Sequence, residues 1–129
     1  MQILRDADTD ACDVKSVDPG KVAATKQAII DPAEAVELAN LFKLLADPTR
    51  ARLLHALLEA GELCVCDLAQ TIDVAETSVS HALRLLRTAG IVRNRRAGRM
   101  IYYALDDAHV RLLLDLSLEH IRHDSGEGR

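Results

Sequence analysis

The amino-acid sequence predicts a mainly α-helical domain with one small β-hairpin, and three observations support this. Leucine and alanine dominate the apolar positions while aromatic residues make up only 2% of the chain, which favours helices over strands. The pairs Asp31-Pro32 and Asp47-Pro48 each give the start signal of a helix. The apolar run 100–103 follows a glycine turn and indicates a strand. A chain of 129 residues has room for one such domain.

The spacing of apolar residues and the turn signals predict the elements in order. Residues 1–30 are polar and predict a flexible N-terminal arm that carries Cys12, with a short helical stretch before Asp31. Residues 31–123 form the predicted folded domain. Four helices are expected first: one at 32–46, one from 48 that stops at Gly61, one at 63–72 and one at 76–89. Two short strands follow, one that begins at 91 and one at 100–103, with a turn at 97–98 between them. A last helix is expected at about 107–123.

The last helix indicates that the chain forms a dimer. Val110 and Leu114 lie on one face, whereas Leu112 and Leu116 lie off that face. A helix that is apolar on more than one side needs two packing partners, and in so small a protein the second partner is another subunit. Residues 124–129, beyond this helix, are expected to be a disordered tail.

Composition argues against several function classes. No stretch reaches the ~18 apolar residues that span a bilayer, so no membrane partner is expected. The first residues are acidic and lack the apolar run of a signal peptide, which predicts a cytoplasmic protein. Three cysteines in a reducing compartment favour metal binding or redox chemistry over a disulfide framework. No nucleophile–base set or phosphate loop stands out, so neither an enzyme nor a small-molecule substrate is expected.

Charge is distributed unevenly and indicates a nucleic-acid partner. The net charge is −4, yet residues 75–104 hold six arginines and one acid. The order of helix, short turn, helix and basic hairpin is that of a winged helix-turn-helix, which reads double-stranded operator DNA with its second helix. The predicted DNA contacts are side chains of helix 76–89 and of the wing, namely Thr77, Ser78, Ser80, His81, Arg84, Arg95, Arg96 and Arg99.

The segment Cys64-Val65-Cys66 is the first candidate metal site. Side chains two residues apart point about 200° apart in a helix, so the two thiols can meet one ion only at or before a helix start. A helix N-terminus also lowers the pKa of a thiol. Cys12 can supply a third thiolate from the arm, and three thiolates favour the soft ions Cd(II), Pb(II) and Bi(III), with Zn(II) also possible.

The last predicted helix holds a second candidate metal site. His120 and His123 share one face, whereas Asp107 and His109 lie more than ten residues earlier, about 16 Å along the axis. A single helix cannot place all four on one ion, but two antiparallel copies across a dimer axis can. Nitrogen-rich half-sites of this kind suit tetrahedral Zn(II).

Three segments resemble one known family. They are ELCVCDLA at 62–69, SVSHAL at 78–83 and DPTR at 47–50, and they resemble the ArsR/SmtB family of metal-responsive repressors, above all its CadC-like cadmium and lead sensors. The resemblance covers about residues 35–123. It implies a homodimer whose metal-free form binds an operator palindrome. Metal binding would then release the operator and derepress efflux or sequestration genes.

The resemblance also implies two metal sites. The first joins Cys64 and Cys66 to thiols of the arm, across the dimer. CadC-like arms read D-x-C-x3-C, and here Asp10 and Cys12 fit while Ser16 stands at the second cysteine position. At most three thiolates remain, which suits trigonal Pb(II). The second site follows the pattern D-x-H-x10-H-x2-[EH], which is matched by Asp107, His109, His120 and His123.

Other interpretations remain open at this point. A thiol-based redox-sensing repressor would oxidise Cys64 and Cys66, although it leaves the helix histidines unexplained. A zinc-specific sensor would use the last helix alone. A metal carrier would need neither a recognition helix nor a basic wing.

Overall fold

The computed structural model describes residues 11–15 and 17–126, the last three of these by backbone alone. It divides into two compact units, Met1–Ala35 and Val36–Arg129. The short helical stretch expected in the arm is α1. Within the described residues the structure has six helices and three strands: α1 (Pro19–Ala28), α2 (Pro32–Leu45), α3 (Pro48–Ala60), β1 (Leu63–Cys64), α4 (Val65–Ile72), α5 (Glu76–Thr88), β2 (Val92–Ala97), β3 (Met100–Leu105) and α6 (Ala108–Gly126).

The predicted helix starts are confirmed by hydrogen bonds of the two aspartates. Asp31 Oδ1 accepts from the backbone N–H of Glu34 at 2.8 Å, and Asp47 Oδ2 accepts from that of Arg50 at 2.9 Å. Each carboxylate thus satisfies one N–H group that has no partner inside the helix. Helix α3 ends where expected, at Gly61, whose φ of +82° few other residues adopt readily.

The sequence predicts one helix over 63–72, and this is wrong for its first two residues. Leu63 and Cys64 form β1, which pairs antiparallel with Tyr103 and Tyr102 of β3. The helix begins only at Val65. A two-residue strand has no periodicity of its own, and its partner lies far along the chain, so a local pattern cannot reveal it.

The predicted hairpin is confirmed, but its turn is formed by residues 98–99 rather than 97–98, because Ala97 pairs with Met100 as the last residue of β2. Strands β2 and β3 pair from Val92↔Leu105 to Ala97↔Met100, and a two-residue turn with Gly98 at φ +62° joins them. The sheet order is β1-β3-β2, so β3 lies between β1, which carries Cys64, and β2. Helix α6 continues to Gly126. Part of the expected tail is therefore helical, while residues 127–129 lie outside the described residues.

The core is formed by α3, α4, α5 and the sheet. Its completely buried side chains include Leu53, Leu54, Leu57, Leu68, Leu83 and Leu86. Val110 and Leu114 of α6 pack against this cluster from one side. Helix α4, the connection at Asp73 and helix α5 therefore form a helix-turn-helix on a rigid base, and β2–β3 form the wing. None of the described helices is both long and apolar enough to cross a bilayer.

Candidate functional site

The two neighbouring thiols meet at the start of α4. Cys64 ends β1 with an extended backbone (φ −77°, ψ 164°), whereas Cys66 is the second residue of the helix. This change of backbone geometry brings the two Sγ atoms to within 3.3 Å of each other. Cys64 is buried and Cys66 is half-buried. The geometry agrees with the expectation that the pair can converge only at a helix start.

Asp67 is a neighbouring group that the sequence analysis missed as a ligand. One of its carboxylate oxygens and the two Sγ atoms all lie within 4.8 Å of one another. The signal was present in the spacing, because the residue before a helix and the third helical residue face each other across the first turn. Two thiols and a carboxylate form a donor set that fits a soft or borderline divalent cation.

Cys12, the predicted third thiolate, is exposed and belongs to the first compact unit. Asp10 and Ser16, the other positions of the arm pattern, lie outside the described residues.

The surroundings of Cys64 raise the pKa of its thiol. The strongest influence is the backbone N–H of Asp67, which lowers that pKa as a helix N-terminus should. Burial, the Cys66 thiol and the Asp67 carboxylate act in the opposite direction and together outweigh it. The predicted lowering of the pKa is therefore wrong for Cys64, because removal from water and a nearby negative charge both oppose ionisation.

We expect iodoacetamide to modify Cys64 more slowly than the exposed Cys12 at neutral pH. The thiolate is the reacting species, and burial with a raised pKa leaves little accessible thiolate at Cys64. The rate at Cys64 should increase as the pH rises toward the pKa of its thiol. Timed quenching followed by peptide mass spectrometry gives each rate. Equal rates at neutral pH would show that Cys64 is not a buried thiol with a raised pKa.

The predicted recognition helix presents a polar stripe on its outer side. The stripe is formed by Thr77, His81 and Arg84, which are exposed and spaced so that they share one helical face. Ser78 and Ser80 flank this stripe on either side. The opposite face holds the helix to the core through the buried residues Val79, Ala82, Leu83 and Leu86.

The wing arginines differ in their surroundings. Arg96 lies near the hairpin turn, where its Nη1 donates to the carbonyl of Gly98 at 3.3 Å, and Arg99 is exposed within that turn. Arg95 instead forms a two-pronged pair with Glu62, with both N···O distances at 2.7 Å. The sequence grouped all three as DNA contacts, and the pair formed by Arg95 could not be predicted from local sequence.

The four residues of the second candidate metal site lie in two separate groups along helix α6. Asp107 Oδ1 accepts from the backbone N–H of Val110 at 3.0 Å, and its Oδ2 lies 3.6 Å from Nδ1 of His109. The N–H of Val110 is the main reason that the pKa of Asp107 is lowered. His120 and His123 are exposed about three turns further along the helix, so one helix does not bring the four together. Helical spacing puts all three histidines on the side of the exposed Leu112 and Leu116.

Comparison with known proteins identifies the family. Residues 47–94 match the family described as bacterial regulatory protein, arsR family. A Staphylococcus aureus protein named cadmium resistance transcriptional regulatory protein CadC homolog is 37% identical over 119 residues, which cover 92% of this chain and 98% of the relative. The chain belongs to the ArsR family of bacterial regulatory proteins.

Further relatives agree with this ArsR-family assignment. The transcriptional repressor SmtB homolog of Synechocystis is 39% identical over 121 residues, 94% of this chain and 91% of the relative. The crystal structure of the AntR antimony-specific transcriptional repressor superposes with a TM-score of 0.71 at 39% identity, covering 90% of this chain and 99% of that one. The homodimeric winged helix-turn-helix domain of Mb0332 from Mycobacterium bovis has a TM-score of 0.63 at 30% identity, covering 74% and 93%.

Membership in this ArsR family confirms two predictions made from the sequence. The fold is a winged helix-turn-helix, and the function class is a transcriptional regulator rather than an enzyme. The relatives named for cadmium resistance and for antimony specificity agree with the metal-sensing part of the prediction.

Proposed function

We propose that this protein is a repressor that binds operator DNA as a metal-free homodimer and leaves it when Cys64 and Cys66 take up Cd(II) or Pb(II). Release then derepresses metal efflux or resistance genes in the cytoplasm. The observation that carries this proposal is the 3.3 Å approach of the two Sγ atoms at the first turn of the helix-turn-helix. Two thiolates and the Asp67 carboxylate supply three ligands, and, as the family resemblance implies, Cys12 adds a thiolate from the arm across the dimer.

The thiol pair lies at the start of α4, and the turn that leads into the recognition helix follows the other end of the same helix. Cys66 lines an open cleft of about 410 Å³ together with Gln70, Asp73 and Glu76. Glu76 is the first residue of α5, so this cleft lies between the thiol-bearing helix α4 and the start of the recognition helix. The inner faces of α4 and α5 share one core of buried side chains, and close packing of this kind transmits displacement between the two helices. The site is therefore suited to change the orientation of α5 when its thiols become ligands.

The proposed DNA face joins the outer stripe of α5 to the tip of the wing. Thr77, Ser78, Ser80 and His81 offer small polar groups to base edges, and Arg84 adds a charge to that helix. Arg96 and Arg99 bring positive charge to the phosphates beside the helix. A dimer with two such faces reads two half-sites about one helical turn of DNA apart.

Dimerisation is supported by apolar side chains that the described chain leaves exposed. Val36 and Phe42 of α2 are 59% and 50% exposed, and Leu112 and Leu116 of α6 are 56% and 55% exposed. Leu112 and Leu116 share one face of α6, and exposed apolar side chains that form such a patch mark interaction surfaces. We propose that a second copy of the chain covers them and that the dimer is the form that binds DNA.

A second metal site across that dimer is supported by the same face of α6. His109, His120 and His123 share the side of the helix that carries Leu112 and Leu116. An antiparallel partner helix packed on those leucines brings Asp107 and His109 of one protomer toward His120 and His123 of the partner subunit. These nitrogen and oxygen donors fit Zn(II), which makes a zinc response through α6 the second candidate function.

The redox-sensing alternative receives less support. Redox-sensing cysteines are accessible and have a low pKa, whereas Cys64 is buried and the pKa of its thiol is raised.

Replacing Arg84 with alanine tests the DNA face. We expect Arg84→Ala to weaken operator binding about tenfold and to reduce the slope of log K against log salt by about one, because one cationic contact is removed. Fluorescence anisotropy across a salt series measures both quantities. Arg87→Ala is the control, since it removes the same charge from the C-terminal part of the same helix. Equal effects of the two variants would contradict the specific role of Arg84.

A further inference from the structure

A side-chain bridge connects the thiol-bearing strand to the wing. Nε and Nη2 of Arg95 on β2 donate to Oε2 and Oε1 of Glu62, both at 2.7 Å. Glu62 stands directly before β1, two residues from Cys64. The guanidinium of Arg95 also lies 4.7 Å from the centre of the Tyr102 ring, on the intervening strand. The bridge therefore crosses the whole three-stranded sheet.

Strand register places this bridge level with the thiol site. Tyr102 of β3 is paired with Cys64 on one side and with Arg95 on the other. Directly paired residues of neighbouring strands project toward the same face of a sheet. Strand β1 has two residue pairs with β3, and the Glu62–Arg95 bridge adds a direct side-chain link from the start of β1 to β2.

We propose that the Glu62–Arg95–Tyr102 bridge couples the thiol site to the wing, with Arg95 as a positioning residue rather than a phosphate contact. This inference rests on the proposed function, since it concerns how occupation of Cys64 and Cys66 reaches the DNA. When the thiols close on a cation, the start of α4 and β1 shift together. The bridge carries that shift to β2 and changes the position of the wing relative to α5.

The geometry of Arg95 favours this role over a DNA contact. Its two-pronged fork is filled by one carboxylate, and its flat face is covered by Tyr102. A phosphate can take the same two-pronged position on Nε and Nη2 only if it displaces Glu62. Arg96 and Arg99, by contrast, lie at or near the turn, away from Glu62.

The first test measures coupling as the ratio of operator dissociation constants with and without saturating Cd(II). We expect Glu62→Gln and Arg95→Ala each to reduce this ratio about fivefold, the upper effect of an exposed ion pair. The double variant should show no further reduction, because either change already removes the bridge. Ultraviolet absorbance of the thiolate–metal bond confirms that the variants still bind Cd(II). Ratios within twofold of the wild type, or a multiplicative effect in the double variant, would overturn the proposal.

The second test uses the metal-free protein and separates positioning from phosphate contact. Arg95→Ala should leave the salt slope of operator binding unchanged, whereas the neighbouring Arg96→Ala should reduce it by about one. Arg96→Ala should also keep the wild-type coupling ratio. A slope reduced equally by both variants would make Arg95 a phosphate contact and overturn the assignment.

The two proposals fail in distinguishable ways. If Cd(II) does not release the operator from the wild-type protein, the proposed function is wrong. If the wild type responds and both bridge variants respond equally well, only the bridge proposal is wrong.

Discussion

Replacement of both thiols, in Cys64→Ser/Cys66→Ser, is expected to remove the release of operator DNA by Cd(II) and Pb(II). Serine keeps the size of the side chain, but its hydroxyl stays protonated and is a poor ligand for soft ions. Because an allosteric effector typically changes the affinity for the second ligand by about 5–150-fold, loss of the response is a large effect. Fluorescence anisotropy of labelled operator, with each metal titrated into the preformed complex, measures it.

The matched control for this prediction is His120→Ala, which removes one ligand of the proposed α6 site. It should leave the Cd(II) and Pb(II) responses intact and weaken a Zn(II) response. Two results would contradict the assignment of the thiol pair as sensor: an undiminished Cd(II) response in the serine variant, or loss of that response in His120→Ala alone.

The second large effect concerns stability and follows from the position of Leu83 in α5. Its side chain is completely buried in the core that supports the recognition helix. Leu83→Ala should lower the free energy of unfolding by about 2–5 kcal/mol, because the cavity it leaves cannot fully close. That is a large part of the about 5–15 kcal/mol that holds a typical domain folded.

Urea denaturation at one fixed protein concentration measures this change, since the stability of a dimer depends on concentration. Leu85→Ala is the matched control, because Leu85 lies on the same helix and is 40% exposed. Leu85→Ala should lower the free energy of unfolding far less than Leu83→Ala does. Similar midpoints for the two variants would show that the inner face of α5 has been assigned incorrectly.

The sequence predicted most of the fold because its signals are local. Asp31 and Asp47 cap the helices that follow them, and Gly61 ends α3 through a positive φ. Each effect involves residues within one helical turn, so spacing alone reveals it. The hairpin was likewise visible from its glycine turn and apolar strand.

What the sequence could not predict depends on contacts between distant residues. Strand β1 exists because Leu63 and Cys64 pair with β3, and Glu62 meets Arg95 across the sheet. No local pattern records such pairings. The pKa of the Cys64 thiol shows the same limitation, because the helix start was visible in the sequence but burial was not.

One titration tests the central claim most directly: Cd(II) added to the wild-type operator complex, with thiolate–metal absorbance and operator anisotropy recorded on the same sample. If the thiol pair is the sensor, both signals should change together and reach their end points at the same metal-to-protein ratio. An absorbance change that saturates while the operator remains bound would contradict the claim, because the thiols would then bind metal without control of the DNA.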